Sequence, residues 1–423
     1  MKYWEIIADN LKKAGWSLGC VSALNSGYFH GQLKLAKGRP VALLCAHACG
    51  DRLFGAERSL LDTLDALLTI DVNVIVSLPQ TGNNHYLDAI RERSVGVYIL
   101  PYRQWDRSPE DDVVIERFIE IIRQHKVNVV DANTIMLREA LTAARKCDVT
   151  TVIHAREIIS HDEALAEQIG LSAEEIIAQV VARSDYIIAN SEATAKCFRR
   201  TKPVHVVPNA IDVGELDVPN VVDRTEIRFG IVSSNGCDRK KGLCDLIDLA
   251  RRCEKIAPNA RFLIIGHETP DITVLEGDQW EEKCPRNVKF VGYRETPREV
   301  MAEANVILNL SHFAESFGRT VAEAMAARRP VIAYNWGALP ELIRDGETSF
   351  LANYRNVDEL TERVKELCEN PDVIPEMGQR GRVFISRHYS PSVLAKRLKD
   401  VYSHIFGAAR LVSSGPVDIC NVE

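Results

Sequence analysis

Several features that would assign a protein to a familiar class are missing from this sequence of 423 residues. None of its 11 cysteines forms a CxxC pair, so the sequence predicts neither a zinc site nor a small disulfide scaffold, and we expect reduced, mostly buried thiols. The absence of GxGxxG and GxxxxGKS/T segments counts against a dinucleotide-dependent oxidoreductase and a P-loop NTPase. A net charge of −7 gives no overall attraction for phosphate backbones, which argues against nucleic acid binding.

Membrane-crossing segments are also missing. The first residues, MKYWEIIADNLKKAGW, lack the apolar segment and cleavage site of a signal peptide. No later apolar run approaches the roughly twenty residues that span a bilayer, so we expect a cytoplasmic protein. The N-terminal segment has the pattern of a short helix, and its Trp and Lys would suit peripheral contact with the inner face of a membrane. The alternative is a helix docked on the body of the protein.

Short apolar or β-branched runs alternate with segments of helical periodicity from residue 39 onward. PVALLCAH, VNVIVSLP and VNVVDA illustrate the first series, and IRFGIVS, RFLIIG and NVILNLS the second. Buried strands that alternate with helices predict right-handed βαβ units and parallel sheets. The chain is also too long for one typical core. We therefore predict an α/β protein with two Rossmann-like, doubly wound parallel-sheet domains that face a cleft. The predicted divisions are an N-terminal extension over 1–38, which an alternative reading makes a foreign addition, a first domain over 39–210, a second domain over 211–388, a C-terminal helix over 389–408 that packs back on the first domain, and a tail over 409–423.

The stretch ESFGRTVAE places two carboxylates, Glu315 and Glu323, on either side of a glycine turn. It follows the predicted strand NVILNL, and the helix after it begins at Arg319 or Thr320. Gly318 allows a tight turn there. The first N–H groups of a helix have no partners within the helix, so they favour a phosphate or a sugar oxygen. Glu323 could then accept hydrogen bonds from a vicinal diol such as ribose.

Two further loops could contribute to a phosphate site, one through positively charged side chains and the other through backbone N–H groups. SSNGCDRKKG places Arg239, Lys240 and Lys241 before Gly242, where they could offset phosphate charge, although a solvated helix start is the alternative interpretation. In the first domain, Gly55 precedes a predicted helix and could let the backbone approach a phosphate across the cleft.

The segment ESFGRTVAE and the following EAMAARRPVIAYNWGALPELIRDG closely resemble the donor-site signature of GT-B fold glycosyltransferases of the family 4 type. GAERSLL, HARE, DYIIANS, VVPNAID, RKKG and VGY occur in the order typical of that family, over roughly residues 40 to 405. The resemblance implies a retaining transferase that moves a sugar from a UDP- or GDP-sugar to an acceptor hydroxyl. It also implies a glycan or lipid-linked acceptor and a role in surface polysaccharide or glycolipid synthesis.

The resemblance also assigns roles to residues. Glu315 is expected to contact the transferred sugar, Glu323 the ribose, Arg239 and Lys241 the diphosphate, and the backbone near Tyr293 the base. The predicted donor-binding set further includes Gly55, Ser316, Phe317, Gly318, Arg319 and Thr320. His154 and Glu157 are catalytic candidates from the loop after a first-domain strand, with Asn133 a weaker one. Because no DxD pair follows a strand, we expect no metal and no other cofactor.

The chain departs from the family pattern at three places. Ser316 stands where glycine is usual, and Ser233 and Ser234 stand where a Gly-Arg pair is usual, so Arg239 could replace the missing arginine. Arg328 stands where a helix-ending glycine is usual, and a left-handed backbone there would cost up to about 1 kcal/mol. Two alternative functions remain open at this point: a phosphorylase or sugar-nucleotide epimerase on the same plan, or a nucleotide-sugar-binding module without catalysis.

Overall fold

The computed structural model describes residues 27–50, 53, 55–80, 82–234, 236–276 and 284–413. The helix predicted at the start of the chain and most of the predicted tail lie outside these ranges. Within them the chain forms two α/β domains, each built on its own sheet, which confirms the predicted fold class.

The first domain has a sheet with the strand order β1-β4-β3-β2-β5-β6-β7-β8. All neighbouring strands are parallel except β1 and β4. The strands are β1 (Tyr28–His30), β2 (Val41–Cys45), β3 (Asn73–Leu78), β4 (Gly96–Ile99), β5 (Val129–Ala132), β6 (Thr150–Ala155), β7 (Tyr186–Ala189) and β8 (Val204–Val206), and the helices are α1 (Gly55–Leu68), α2 (Asn84–Glu92), α3 (Asp112–His125), α4 (Glu139–Lys146), α5 (Glu163–Ile169), α6 (Ala173–Arg183) and α7 (Glu192–Ala195).

The second domain has the strand order β11-β10-β9-β12-β13-β14, with all neighbours parallel. Its strands are β9 (Ile227–Ser233), β10 (Ala260–Gly266), β11 (Val288–Gly292), β12 (Val306–Asn309), β13 (Val331–Tyr334) and β14 (Phe350–Ala352). Its helices are α8 (Leu243–Ile256), α9 (Pro270–Glu276), α10 (Pro297–Glu303), α11 (Arg319–Ala326), α12 (Leu339–Leu342), α13 (Val357–Glu369) and α14 (Val373–His388), and the chain ends its described part with α15 (Pro391–Ser413).

Both sheets are covered on both faces, as their unbroken apolar strands require. Successive residues of β2 alternate between two cores: Leu43 packs in the same cluster as Phe118, and Leu44 in the same cluster as Leu64. In the described part of the chain, every helix is too short or too polar to cross a lipid bilayer.

Strand β1 lies before the boundary that the sequence pattern gave for the first domain. Tyr28 pairs with Tyr98 and Phe29 with Val97, and the side chain of Phe29 is buried in the core. An edge strand of three residues is too short to show a periodic pattern. Residues from 28 onward therefore belong structurally to the first domain rather than to an extension.

Helix α15 returns from the second domain to the first. Its buried residues Leu394, Leu398 and Ile405 join the cluster that contains Leu60 and Leu64 of α1. The first domain is therefore completed by α15, which packs beside α1 and contacts the sheet directly through Tyr402 and Asp131.

Arg328 has the left-handed backbone that its position predicted, with φ of 62°. Its Nη1 donates to Asp217 Oδ1 at 2.6 Å, an exposed contact that offsets part of the backbone strain. The neighbouring Arg329 is buried and donates to the carbonyl oxygens of Val218 at 2.6 Å and Pro219 at 2.8 Å. This pair ties the segment between the domains to the second domain.

Candidate active site between the two domains

The loop that contains ESFGRT joins β12 to α11 at the carboxyl end of the second sheet. Gly318 has φ of 84°, and a Cβ atom there would lie 2.5 Å from Leu339 Cδ2, so this position needs glycine. Helix α11 begins at Arg319 with Gly318 as its N-cap, as predicted. Glycine offers no side chain to cap the helix, so the first N–H groups remain available for an anion in the cleft.

A chain of four charges crosses the cleft beside this helix start. Glu323 Oε1 accepts a hydrogen bond from Arg319 Nε at 3.0 Å and lies 3.6 Å from Arg58 Nη1 of the first domain. Arg319 Nη1 donates to Asp62 Oδ2 at 3.2 Å. Burial raises the pKa of the Asp62 carboxyl, and the charge of Arg319 opposes that rise. We call Asp62, Arg319, Glu323 and Arg58 the charge bridge; it holds the two domains together at the predicted ribose-binding carboxylate.

The charge bridge borders a small cavity of 140 Å³ between the domains. Gly55 and Arg58 line it from the first domain, and the second domain contributes Ser233, Ser234, Tyr293, Arg319, Thr320 and Glu323. The ring of Tyr293 stacks on His267 with the centroids 4.1 Å apart. The predicted residues Gly55, Tyr293, Arg319, Thr320 and Glu323 therefore come together around this small cavity.

Glu315 lies on the other side of the loop, at a large cavity of 830 Å³. Its Oε1 accepts hydrogen bonds from Lys241 Nζ at 3.0 Å and Ser311 Oγ at 3.1 Å. Lys241 Nζ also lies 4.3 Å from the centre of the Phe313 ring. The large cavity is lined by Glu315, Ser316, Phe313 and Trp336 of the second domain and by Arg156, Glu157 and His161 of the first. The two carboxylates of ESFGRTVAE thus border two cavities on opposite sides of one loop.

Arg239 does not lie in either cavity, contrary to its predicted role at the diphosphate. Its side chain is 79% exposed, and its Nε lies 3.4 Å from Asp271 Oδ1. Residues Arg239–Lys241 form a single 3-10 turn capped by Asp238, and this turn directs Lys241 towards Glu315 and Arg239 towards solvent. Residues two positions apart in a tight turn point in different directions, so three consecutive cations in the sequence do not all reach the same site.

Phe317 also differs from its prediction. Its side chain is 4% exposed and packs against Tyr389 with the ring centroids 5.8 Å apart. Phe317 therefore anchors the loop in the core of the second domain and lines neither the small nor the large cavity.

His154 lies in a buried network rather than in the cleft. Its Nε2 is 3.1 Å from Asp131 Oδ2, which also accepts a hydrogen bond from Tyr402 Oη of α15. All three side chains are buried. The predicted catalytic role of His154 is therefore replaced by a structural one: the network fixes the C-terminal helix to the first sheet.

We expect Tyr402→Phe to test this structural role. The variant leaves Asp131 with one donor fewer in a buried site, which should lower the free energy of unfolding by about 1 to 3 kcal/mol. Denaturant unfolding measures this loss, and nucleotide affinity should be unchanged. Tyr28→Phe is the matched control, because the Tyr28 hydroxyl makes a long bond of 3.4 Å to Val95 O at the sheet edge. An equal loss in both variants, or a loss of nucleotide affinity, would contradict the assignment.

Glu157 and Asn133 lie near the cleft with different surroundings. Glu157 lines the large cavity and accepts a hydrogen bond from Thr134 Oγ1 at 2.7 Å, and burial raises the pKa of its carboxyl. Asn133 is buried, and its Oδ1 accepts from Arg156 Nη2 at 2.8 Å. Arg156 Nη1 in turn donates to Asn209 Oδ1 at 2.7 Å. Glu157 remains a candidate, whereas Asn133 orients Arg156, which connects the first sheet to Asn209 in the segment that follows β8.

The unusual Ser316 makes a contact that glycine could not make. Its Oγ accepts a hydrogen bond from Asn190 Nδ2 of the first domain at 3.1 Å. Nearby, the Glu341 carboxylate accepts from the backbone N–H groups of Glu192 and Ala193, both at 2.8 Å. These contacts and the charge bridge connect the two domains across the cleft.

Sequence reasoning missed Arg58 and Asp62. Both lie on α1 in GAERSLLD, and Gly55, Arg58 and Asp62 are spaced three and four residues apart, which places them on one face of a helix. A polar face opposite the buried Leu60 and Leu64 was therefore the sequence signal that could have identified Arg58 and Asp62 as cleft residues. Among the described residues, no group of three or more His, Cys, Asp and Glu side chains is placed to hold a metal ion.

Comparisons with known proteins show what the two domains resemble. Residues 55–215 match the family model of Glycosyltransferase Family 4, and residues 223–384 match that of Glycosyl transferases group 1. A trehalose synthase of Pyrococcus horikoshii is 26% identical over 210 residues, which is 47% of this chain and 50% of that protein. A poly(ribitol-phosphate) alpha-N-acetylglucosaminyltransferase of Staphylococcus aureus is 28% identical over 155 residues, 36% of this chain and 31% of that one. The chain thus spans about half the length of the trehalose synthase and about a third of the length of the Staphylococcus aureus transferase.

A solved structure shares the fold. The crystal structure of Anabaena HepE in complex with UDP and glucose superposes with a TM-score of 0.68 at 18% identity, covering 86% of this chain and 100% of that one. At this identity the likeness concerns the two-domain architecture.

Proposed function

The chain belongs to the GT-B glycosyltransferases, and on that premise we propose that it moves a sugar from a nucleotide diphosphate donor to an acceptor hydroxyl with retention of anomeric configuration. The observation that carries the proposal is the loop ESFGRT, which places Glu315 and Glu323 on either side of the start of α11. The donor is a UDP- or GDP-sugar, and the acceptor is a glycan or a lipid-linked glycan. The related Staphylococcus aureus transferase, which is named for a poly(ribitol-phosphate) acceptor, supports this acceptor class.

The nucleotide is proposed to bind on the side of the small cavity. The Glu323 carboxylate accepts hydrogen bonds from the ribose diol, and the N–H groups at the start of α11 face the diphosphate. The base lies near Tyr293, whose ring is fixed by stacking on His267. The transferred sugar then extends past the loop towards Glu315.

The acceptor is proposed to bind in the large cavity, which Glu315 lines from the second domain and Glu157 from the first. Negative charge builds on the leaving diphosphate as the glycosidic bond breaks. Lys241 and the start of α11 stabilise that charge more in the transition state than in the ground state. The leaving phosphate takes the acceptor proton on the same face of the sugar, so the transfer needs no strong protein base. The protein cations serve where other enzymes use a metal, so we also propose that no metal is required.

Ligand-dependent thermal stability tests the donor assignment. A nucleotide bound at 100 times its Kd adds about 2.7 kcal/mol of stability, so UDP, GDP and ADP can be ranked by the rise of the unfolding midpoint. We expect UDP or GDP to give the largest rise. If none of the three raises the midpoint, the proposed function is wrong.

Product analysis separates transfer from its alternatives. Nucleotide release that needs an added glycan acceptor supports a transferase, and the anomeric coupling constant of the product reports retention or inversion. Release with inorganic phosphate as the acceptor would indicate a phosphorylase, and conversion of the donor sugar without nucleotide release an epimerase. Binding without any turnover would indicate a module that only binds nucleotide sugars.

Glu323→Ala is expected to weaken nucleotide binding at least about tenfold and up to about a hundredfold, because a single hydrogen bond to a charged group contributes about 1.5 to 3 kcal/mol. Isothermal titration with the preferred nucleoside diphosphate measures the loss. Glu347→Ala, on the exposed surface of the same domain, is the matched control. Equal affinity in the wild type and in Glu323→Ala would overturn the ribose assignment.

A further inference from the structure

The second-domain arginines that line the small cavity, Arg294 and Arg319, already have carboxylate partners. Arg294 Nε donates to Glu303 Oε1 at 2.7 Å, and Arg319 donates to Asp62 and Glu323. Ser233 and Ser234 end the first strand of this domain where an arginine is usual, and both line the small cavity. Arg239 faces solvent beside Asp271, and Lys241, which we assign to the leaving phosphate, is held by Glu315 beside the large cavity and does not line the small one. A donor diphosphate in the small cavity would therefore need positive charge from another element.

Arg58 is the first-domain cation at this place. It lies on α1, one turn after Gly55, and both residues line the small cavity opposite Ser234. Its Nη1 is 3.6 Å from Glu323, which is longer than a hydrogen bond, and its side chain is 32% exposed. Arg319 is bound more tightly, since it donates to both Asp62 and Glu323. Arg58 is therefore the cation of the charge bridge that can most readily turn to a new partner.

We propose that Arg58 binds the donor diphosphate and supplies the charge of the missing arginine, so that the diphosphate site is complete only when the two domains are closed. The proposal rests on the proposed glycosyltransferase function. The small cavity of 140 Å³ is below the about 300 Å³ of typical ligand sites. The four residues of the charge bridge also line a cavity of 590 Å³, so a donor that extends from one cavity into the other displaces the contact between Arg58 and Glu323. The ribose diol then takes the Glu323 carboxylate, and the freed guanidinium can grip two phosphate oxygens.

The packing of α1 links diphosphate binding by Arg58 to the closure of the two domains. Leu60 and Leu64 anchor α1 in the core, and α15 packs on the same helix. Arg58 therefore cannot reach the diphosphate by a local loop movement and brings the first domain with it. A nucleoside without phosphates would bind Glu323 and Tyr293 but would gain nothing from closure.

The test compares a nucleoside diphosphate with its nucleoside, using UDP and uridine or GDP and guanosine according to the base that the wild type prefers. The ratio of the two Kd values measures the phosphate contribution. In Arg58→Ala we expect this ratio to fall about tenfold or more, because a charge-assisted contact is lost. Arg58→Lys should recover part of it. Arg239→Ala is the matched control and should keep the wild-type ratio.

Small-angle scattering gives a second readout. The diphosphate should reduce the radius of gyration of the wild type and of Arg239→Ala but not that of Arg58→Ala, whereas the nucleoside should have no effect on any of them. An unchanged ratio in Arg58→Ala, or a reduced ratio in Arg239→Ala, would overturn the proposal. If the wild type binds neither the nucleoside nor the diphosphate, the proposed function itself fails. Unfolding midpoints of all variants exclude loss of fold as the cause.

Discussion

Replacement of Glu315 by Gln is expected to lower kcat about a hundredfold while nucleotide affinity stays close to that of the wild type, because misplacing catalytic groups by about 1 Å costs a factor of this size. The carboxylate accepts hydrogen bonds from Lys241 Nζ and Ser311 Oγ and faces the large cavity, whereas the nucleotide is assigned to the small cavity. Glutamine keeps the shape of the side chain but loses the charge that holds Lys241. Both the contact with the transferred sugar and the position of the lysine are therefore disturbed.

Steady-state turnover and titration with the nucleoside diphosphate measure the two quantities separately. Glu341→Gln is an informative comparison. Glu341, on α12, is also a carboxylate near the cleft, but it accepts hydrogen bonds from the backbone N–H groups of Glu192 and Ala193 in the first domain. Because Glu341→Gln weakens a contact between the two domains, it should impair domain closure and change kcat and KM together, whereas Glu315→Gln should change mainly kcat. A variant Glu315→Gln that keeps full turnover, or that loses nucleotide affinity as strongly as turnover, would remove Glu315 from the reaction centre.

The parts of the site that follow from local rules were predictable from the sequence. The alternation of strands and helices fixes the carboxyl edge of each sheet, and the turn at Gly318 with a helix start at Arg319 follows from the glycine and the helical pattern after it. Resemblance to a family then assigned the two carboxylates. Each of these depends on residues within about one turn of a helix or strand, where spacing in the sequence determines spacing in the structure.

The parts that depend on distant contacts were not predictable. The position of His154 after a strand makes it a catalytic candidate by sequence, but Tyr402, about 250 residues later, shares Asp131 with it in a buried network. Arg58 meets Glu323 only because the domains close, and a single sequence shows no such pairing. Arg239 and Lys241 belong to the same turn, but the side chain of Lys241 points to Glu315 and that of Arg239 to solvent. Tertiary packing decides all three, and periodicity carries no information about it.

Gly242→Ala is expected to lower the free energy of unfolding more than Tyr402→Phe does. Gly242 has φ of 86°, and a Cβ atom there would lie 2.2 Å from Leu310 O, which is backbone and cannot turn away. The left-handed conformation costs about 1 to 2 kcal/mol for a residue with a Cβ, and overpacking adds about 1 to 3 kcal/mol. Any relief of the clash moves the turn with Lys241 or the strand end before Ser311, so both partners of Glu315 shift.

Gly346→Ala separates the two costs, because Gly346 has a similar φ of 74° in the same domain but no atom within 4 Å of the added Cβ. Its loss in the free energy of unfolding should therefore equal the conformational cost alone, about 1 to 2 kcal/mol, with turnover unchanged. Gly242→Ala should lose at least about 1 kcal/mol more than Gly346→Ala in denaturant unfolding and should also lose turnover. Equal losses would show that the backbone around Leu310 yields without cost. The approach of Gly242 to Leu310 could then not be what fixes Lys241 against Glu315.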